Sequence, residues 1–170
     1  VYARAFEMNV SAIKRRPGNA PELSFLGTRE DLTAQLPKAD MIVVSLPGND
    51  SAADFIGPAE FNAMKDGVIF VNIGRGTAVN ENAFYSAMDS GKIGAAGIDT
   101  WWQYPKSIET RSCTNPSRHR LEQFENLVMS PHRAAHITER NVAWVKDMIA
   151  ILESIAEGNP LNIVDRVEWY

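Results

Sequence analysis

Two side chains in this sequence have the types and settings that acid-base chemistry on a small anion needs: Arg75 and His132. Arg75 stands between Gly74 and Gly76, where the backbone can turn sharply and approach a ligand while the guanidinium points out of the turn. A guanidinium holds a carboxylate bidentately, which a lysine does less well. His132 follows Pro131 after a short apolar run, and an imidazole titrates near neutral pH. Together they could bind an acid and move its proton.

The elements around Arg75 follow the pattern of a strand, a turn, a helix and a second strand. Residues 68–71 are a β-branched apolar run typical of a strand buried on both faces. Asn80 is a candidate N-cap for the helix, and residues 93–98 form a second buried strand that ends at Asp99. Such a βαβ crossover sets two parallel strands in one sheet, with ligands beyond their carboxyl ends. The pattern therefore predicts Arg75 and Asp99 at that edge.

Three motifs, in this order, resemble the D-isomer-specific 2-hydroxyacid dehydrogenases, which include glycerate, glyoxylate/hydroxypyruvate and phosphoglycerate dehydrogenases. They are VNIGRGTAVNENAF, GKIGAAGIDTW, and Met129-Ser130-Pro131-His132 with Glu139 downstream. The resemblance implies an α/β fold with a Rossmann-like, doubly wound parallel sheet. It also implies NAD(P)-dependent oxidation of a small 2-hydroxy acid, or in reverse the reduction of a 2-keto acid such as glyoxylate or hydroxypyruvate.

The resemblance implies roles for the candidate residues. Arg75 would bind the substrate carboxylate and polarise the carbonyl, and His132 would take the hydroxyl proton or, in reverse, donate it to the keto oxygen. Asp99 would accept a hydrogen bond from the nicotinamide carboxamide, with the backbone of Ile73 and Gly74 lining the same pocket. After a strand predicted at residues 41–46, the side chains of Leu46 and Pro47 would wall the adenine and pyrophosphate region.

A basic triplet, Lys14-Arg15-Arg16, follows a short strand near the amino end. In dinucleotide-binding folds an acidic residue at this point binds the adenosine ribose, whereas positive side chains accommodate a 2′-phosphate. Lys14 occupies the acidic position of the family, which favours NADP(H) over NAD(H); a solvated basic turn is the alternative. The full set expected to line the cofactor is Lys14, Arg15, Arg16, Leu46, Pro47, Ile73, Gly74, Arg75, Asp99 and His132.

One position departs from the family's pattern. Five residues after Asp99 the family places a Glu that pairs with the catalytic His, and this sequence has Tyr104. A phenol, or the amide of Gln103, can orient an imidazole by hydrogen bonding but supplies no negative charge to hold its proton. We predict that Tyr104 takes this place beside His132 with altered pH dependence or specificity. Gln103 leaves a formate-dehydrogenase-like Gln–His pair open.

Composition and charge exclude several classes of protein. Of the 170 residues, 45% are hydrophobic and 22% charged, which is ordinary for a globular domain. The net charge of −4 gives no general attraction to nucleic acid or an anionic membrane, and no apolar run approaches the ~18 residues of a membrane span. The single cysteine, Cys113, excludes an internal disulfide and suits the cytoplasm. His132 and His136 lack a third ligand for a metal.

The predicted organisation is a partial NAD(P)-binding domain over residues 1–140 and a C-terminal helix and tail over residues 141–170. The tail would return to a substrate domain outside this sequence. The family's Gly-rich phosphate loop and first strand would precede Val1, so the fold is expected to be truncated at its amino end, and the fragment to be inactive alone. The apolar face of the last helix is expected to be core; it comprises Trp144, Val145, Met148, Ile149, Leu152 and Ile155.

One alternative to a catalytic protein remains open. A non-catalytic dinucleotide-binding regulator or sensor of the same fold could have lost the Glu that Tyr104 replaces. A methyltransferase-like α/β domain fails as an alternative, because it does not explain the Arg75 turn and the late His132 together. A small 2-hydroxy or 2-keto acid is the expected partner, and the family's habit suggests a homodimer.

Overall fold

The protein is described here by a computed structural model that covers residues 2–16, 18–135 and 140–164, in two units, Val1–Ala134 and Ala135–Tyr170. The strands of the first unit are β1 (Ser11–Ile13), β2 (Phe25–Gly27), β3 (Met41–Val44), β4 (Val68–Asn72), β5 (Ile93–Ile98) and β6 (Leu127–Met129). Its α-helices are α1 (Tyr2–Ala5), α2 (Leu32–Gln35), α3 (Pro58–Ala63) and α4 (Glu81–Asp89), with short 3-10 turns between them. The second unit contains α5 (Arg140–Ala156).

Every strand pair in the first unit is parallel, which confirms the predicted parallel α/β architecture. The strands form a four-stranded sheet in the order β3-β4-β5-β6 and a separate two-stranded sheet of β1 and β2. Within the described residues no strand joins β1 to β3. The predicted doubly wound sheet is therefore observed as two separate parallel sheets. The carboxyl ends of β3 to β6 nevertheless meet at one edge, where Arg75, Asp99 and His132 lie.

The crossover from β4 through α4 to β5 forms as the sequence predicts. β4 and β5 are in parallel register from Ile69 opposite Ala95 to Asn72 opposite Ile98. Asn80 caps α4, since its side-chain oxygen accepts the backbone N–H of Ala83 at 3.0 Å. The buried side of α4 places Phe84 against Phe70 of β4, with ring centroids 5.9 Å apart. This aromatic packing fixes the helix on the sheet.

Strand β3 ends earlier than predicted, at Val44 rather than Leu46. The carbonyl of Val44 accepts the backbone N–H groups of both Ile73 and Gly74, at 3.0 and 3.1 Å. The hydrogen-bond ladder between β3 and β4 ends at this carbonyl, because the chain after β4 turns away there. Leu46 and Pro47 consequently belong to the loop at the sheet edge.

Helix α5 contradicts one expectation about its surroundings. The six apolar side chains predicted as core are all at least half exposed, from 50% for Val145 and Ile149 to 66% for Leu152. Within the described part of this unit no further helix or strand follows α5 to cover them. Gly158, at φ 75°, follows the end of the helix, and the N–H of Asn159 bonds to the carbonyl of Ser154 at 2.9 Å. Glu139 and His136 lie outside the described residues.

No helix among the described residues has both the length and the apolar character needed to cross a bilayer.

Candidate active site

The turn after β4, residues 72–76, carries Arg75 and is braced by Asn72. Asn72 is completely buried, and its amide nitrogen donates to the carbonyl of Arg75 at 3.0 Å. Its side-chain oxygen accepts the N–H of Gly74 at 3.1 Å. A single buried side chain therefore bonds to the backbone of both Gly74 and Arg75, which fixes the backbone position of Arg75.

Close backbone contact on two sides explains the glycines of this turn. A Cβ on Gly74 would stand 2.5 Å from the backbone nitrogen of Leu46, and a Cβ on Gly76 would overlap the carbonyl of Trp101. Any side chain would force the backbone apart, since the opposing atoms belong to the main chain. The Arg75 turn is thus wedged between the segments that leave β3 and β5.

The Arg75 side chain lies over the loop after β3. A Cβ on Gly48 would come within 2.9 Å of its Cγ, so the aliphatic stem packs directly on that glycine. One guanidinium nitrogen, Nη1, donates to the carbonyl of Gly74 at 2.7 Å. The residue is exposed, and a guanidinium has five N–H donors in a planar fork, so the group can still bind a carboxylate.

Asp99, at the exit of β5, is buried and holds the loop that follows β6. Its Oδ1 accepts the hydroxyl of Ser130 at 2.5 Å and the backbone N–H of Arg133 at 2.7 Å, and Oδ2 accepts the N–H of Ala134 at 3.0 Å. Burial alone would raise the pKa of Asp99. These three hydrogen bonds, aided by the nearby His132, outweigh burial and hold the pKa of Asp99 below its usual value.

His132 is the residue that this loop, residues 130–134, presents at the sheet edge. Its φ of 57° is in the left-handed region, which is uncommon for a residue with a side chain and carries a conformational cost. The bonds from Ser130, Arg133 and Ala134 to Asp99 bracket His132 on both sides and retain this conformation. The exposed imidazole is therefore attached to a backbone whose conformation the buried Asp99 stabilises.

Tyr104 and His132 are brought together by the structure. The phenolic oxygen of Tyr104 is 3.0 Å from Nδ1 of His132, and the two rings are 5.6 Å apart between centroids. The same oxygen accepts the backbone N–H of Trp101 at 2.9 Å. Gln103, the other residue considered for this place, is fixed through its backbone N–H to the carbonyl of Pro116 at 3.1 Å. The observed neighbour of Nδ1 is the phenol.

Trp101 connects the Arg75 turn with the His132 loop. Its carbonyl lies against Gly76, while its indole Nε1 donates to the carbonyl of Ser130 at 2.9 Å. The residue is buried, so these contacts are shielded from water. One tryptophan therefore contacts the backbone next to Arg75 and the backbone two residues before His132.

The irregular segment that carries Trp101 and Tyr104 is anchored to α4 by Glu81. This buried carboxylate accepts the hydroxyl of Ser117 at 2.8 Å, the backbone N–H of Arg118 at 2.6 Å and the Arg118 Nε at 2.7 Å. Burial alone would raise the pKa of Glu81, but the hydrogen bonds from Arg118 and Ser117 lower it below the usual value. The buried carboxylate of Glu81 thus attaches the segment to α4.

The expected cofactor residues fall into two places. Leu46, Pro47, Ile73, Gly74 and Asp99 lie at the carboxyl edge of the four-stranded sheet, and the N–H groups of Ile73 and Gly74 are already bonded to Val44. Lys14 follows β1 in the two-stranded sheet, where its backbone N–H bonds to the carbonyl of Gly27 at 3.0 Å. Arg15 and Arg16 continue that exposed turn.

Sequence reasoning assigned no role to Asn72, Ser130 or Trp101. An Asn at the end of a buried strand before a Gly-rich turn is a usable signal, because its side chain can satisfy turn backbone groups. Ser130 and Trp101 have no comparable local signal, since their partners lie about thirty residues away along the chain.

Residues 1–134 match the family model described as D-isomer specific 2-hydroxyacid dehydrogenase, NAD binding domain. The chain therefore belongs to this family, as its motifs indicated.

Particular relatives carry more specific names. Over 161 residues the chain is 34% identical to glyoxylate/hydroxypyruvate reductase B of Yersinia enterocolitica and 36% identical to that of Cronobacter sakazakii. Each match covers 92% of this chain but 47% of the relative, so the chain spans about half their length.

Solved structures show the same fold. A D-isomer specific 2-hydroxyacid dehydrogenase from Xanthobacter autotrophicus, in complex with NADPH and MES, superposes with a TM-score of 0.78 at 25% identity, over 95% of this chain and 63% of that one. A probable 2-hydroxyacid dehydrogenase from Rhizobium etli, in complex with NADP, HEPES and tartaric acid, has a TM-score of 0.79 at 23% identity, over 99% and 51%.

Proposed function

We propose that the full-length protein containing this chain is an NAD(P)H-dependent reductase of small 2-keto acids, with glyoxylate and hydroxypyruvate as the first substrates to test. The reverse reaction is the oxidation of a 2-hydroxy acid. The observation that carries this proposal is the Trp101 bridge, because the same buried residue touches Gly76 beside Arg75 and Ser130 before His132. A carboxylate-binding cation and an acid-base imidazole are thereby attached to one support.

The two side chains have complementary tasks in this proposal. Arg75 binds the keto acid through its carboxylate and places positive charge near the carbonyl. His132 provides the proton that the carbonyl oxygen requires, and takes one from the hydroxyl in the reverse direction. The bound nicotinamide cofactor supplies or accepts the hydride.

The residues at the sheet edge suit that cofactor. A carboxylate has about four acceptor sites and three on Asp99 have donors, so the remaining one can accept the carboxamide N–H as the family resemblance implies. Ile73 is 45% exposed at the end of β4 and offers an apolar surface beside it. Leu46 and Pro47 would contact the adenine and pyrophosphate side.

The cofactor preference proposed is for NADP(H). It rests on Lys14, Arg15 and Arg16 after β1, where a 2′-phosphate would lie. Replacing Lys14 by Asp should lower the ratio of kcat/KM for NADPH to that for NADH by several-fold, because it exchanges an exposed charge pair worth about 0.2–1 kcal/mol for a repulsion of similar size. An unchanged ratio would place the phosphate elsewhere.

Parts of the full-length protein outside this chain complete the proposed organisation. A parallel strand between β1 and β3 would join the two sheets, and the phosphate loop would follow it. The apolar face of α5 would pack on the substrate domain. Residues 1–140 and 141–170 thus remain our proposed division, and a homodimer in the cytoplasm is the proposed state of the whole protein.

The test is reduction of glyoxylate and hydroxypyruvate by the full-length protein, followed as NADPH oxidation. His132→Gln keeps a polar side chain of similar size but cannot exchange a proton near neutral pH, so kcat should fall by about 10²–10⁴-fold. Arg75→Lys should mainly raise KM for the keto acid, since the bidentate contact is lost. His119→Gln is the matched control, because His119 is stacked on Tyr85, 4.3 Å between centroids, and should leave kcat within about twofold.

A second candidate, a non-catalytic dinucleotide sensor, is favoured by one feature: Tyr104 in place of the usual Glu. Such a protein would bind NADPH and the keto acid without oxidising the cofactor. Calorimetric binding without turnover in the wild-type protein would support it and exclude the reductase.

A further inference from the structure

The hydrogen bonds of Tyr104 limit where its proton can be. The backbone N–H of Trp101 can only donate, so the phenolic oxygen is the acceptor in that bond at 2.9 Å. The second polar contact of the oxygen is Nδ1 of His132 at 3.0 Å. A phenol is a stronger donor than acceptor, because the ring withdraws electron density from its oxygen. Its remaining O–H therefore has an aromatic nitrogen acceptor within reach.

We propose that Tyr104 donates its O–H to Nδ1 of His132, so that the neutral imidazole carries its proton on Nε2. A carboxylate at position 104 would act in the opposite sense, because it can only accept and would place the proton on Nδ1. Tyr104 is thus a positioning residue that selects one tautomer of His132. This inference rests on the proposed function for its catalytic meaning, although the tautomer itself does not depend on turnover.

The selected tautomer favours one class of ligand at Nε2. An Nε2–H group donates a hydrogen bond, so it matches the carbonyl oxygen of a 2-keto acid better than a nitrogen lone pair would. A 2-hydroxy acid must instead give its proton to that nitrogen, which the neutral Nε2–H form cannot accept. With His132 neutral, the site consequently favours binding of the keto acid over the hydroxy acid.

Protonated His132 remains accessible from this arrangement. Tyr104 is 44% exposed, so its O–H can turn to water while its oxygen accepts a new Nδ1–H. The charged groups of the same loop and its support are Asp99, whose carboxylate bonds to the loop backbone, and Arg133. Asp99 bonds to the loop backbone, so the observed neighbour of Nδ1 is the uncharged phenol.

The experiment is ¹⁵N NMR of the full-length protein labelled at histidine, at a pH high enough that His132 is neutral. The signal of His132 is assigned by its loss in His132→Gln. In the wild-type protein we expect a pyridine-like shift for Nδ1 and a pyrrole-like shift for Nε2. Because free imidazole side chains already favour Nε2–H, the change between variants is the decisive measurement.

Two substitutions move the tautomer in defined directions. Tyr104→Phe removes the donor and should lower the ratio of the Nε2–H to the Nδ1–H form by about two- to tenfold, the effect of one neutral hydrogen bond of about 0.5–1.5 kcal/mol. Tyr104→Glu should reverse the preference to Nδ1–H. Tyr85→Phe is the matched control, because Tyr85 contacts His119 and should leave the His132 shifts unchanged.

A pyrrole-like Nδ1 in the wild-type protein, or the same tautomer ratio in wild type and Tyr104→Phe, would overturn the proposal. Either result leaves the reductase assay untouched. Conversely, the expected shifts in a protein without turnover would retain the tautomer and reject the proposed activity.

Discussion

The Arg75 turn (residues 72–76) and the His132 loop (residues 130–134) both leave strands of the same sheet, yet they are held in different ways. The Arg75 turn is held by its own Asn72 and by glycines that pack against the main chain of Leu46 and Trp101. The His132 loop is fixed from outside, by Asp99 on its backbone and Tyr104 on its imidazole. The proposed carboxylate-binding residue thus lies on a backbone packed against other main chain, whereas the proposed proton-transfer residue is held by two side chains from another segment.

The two segments should therefore tolerate substitution differently. Changing the Arg75 turn should damage the fold, because its contacts are shared with β3 and the β5 exit. Changes around the His132 loop should leave the fold largely intact and alter the position or protonation of one side chain. Three substitutions, ordered by expected loss of stability, test this contrast.

The largest effect is expected from Gly76→Ala. The new Cβ would overlap the carbonyl of Trp101, and overpacking of this kind costs about 1–3 kcal/mol or more of unfolding free energy. Urea unfolding of the protein measures it. Gly97→Ala is the control, since a Cβ there would meet only Val71 at an ordinary 3.9 Å. Equal stability of the two variants would contradict the wedged turn.

An intermediate effect is expected from Asp99→Asn. The amide can replace only one acceptor oxygen, so at least one loop donor loses its partner, at about 1–2 kcal/mol. Because the pKa of Asp99 is lowered on folding, its contribution is complete above the ordinary value of about 3.9 and disappears as the pH falls through the folded-state value. The difference in unfolding free energy between wild type and Asp99→Asn should therefore shrink in acid.

The corresponding measurement is chemical unfolding at neutral pH and at several acidic pH values. Ser130→Ala removes one of the same bonds without removing the charge, so its deficit should be smaller at neutral pH. A deficit of Asp99→Asn that is independent of pH would show that the carboxylate is not stabilised by the loop.

The smallest stability effect, about 0.5–1.5 kcal/mol, is expected from Tyr104→Phe, which removes one hydroxyl at a partly exposed site. Its kinetic effect should be the more visible one. In the full-length protein, Tyr104→Glu should extend reductase activity to higher pH, because a carboxylate beside Nδ1 retains the proton on His132. Superimposable pH–rate profiles for wild type and Tyr104→Glu would show that position 104 does not influence proton transfer.

The contrast also explains what the sequence could predict. The β4 strand, the Arg75 turn, the Asn80 cap and β5 are specified by neighbouring residues, and local pattern found them. The left-handed φ of His132 was not predicted, because its cause is Asp99, which precedes Arg133 by 34 residues. Tyr104 was placed beside His132 through the family pattern rather than through any local signal.

The apolar face of α5 shows a different limit. Helical periodicity correctly identified which side chains share a face, but it does not reveal what covers them. Predicting them as core was wrong for the described chain, where Leu152 is 66% exposed. The sheets show a similar limit, since the strand patterns predicted parallel strands but not their division between two sheets.

The φ of 57° at His132 has an evolutionary consequence. Glycine would adopt that backbone without penalty, whereas a residue with a Cβ loses about 1–2 kcal/mol there. Selection for stability alone would tend to replace His132 with glycine, and a lineage without the proposed activity could accept that replacement. If His132 transfers the proton as proposed, this loss of stability is retained because only an imidazole can do so there.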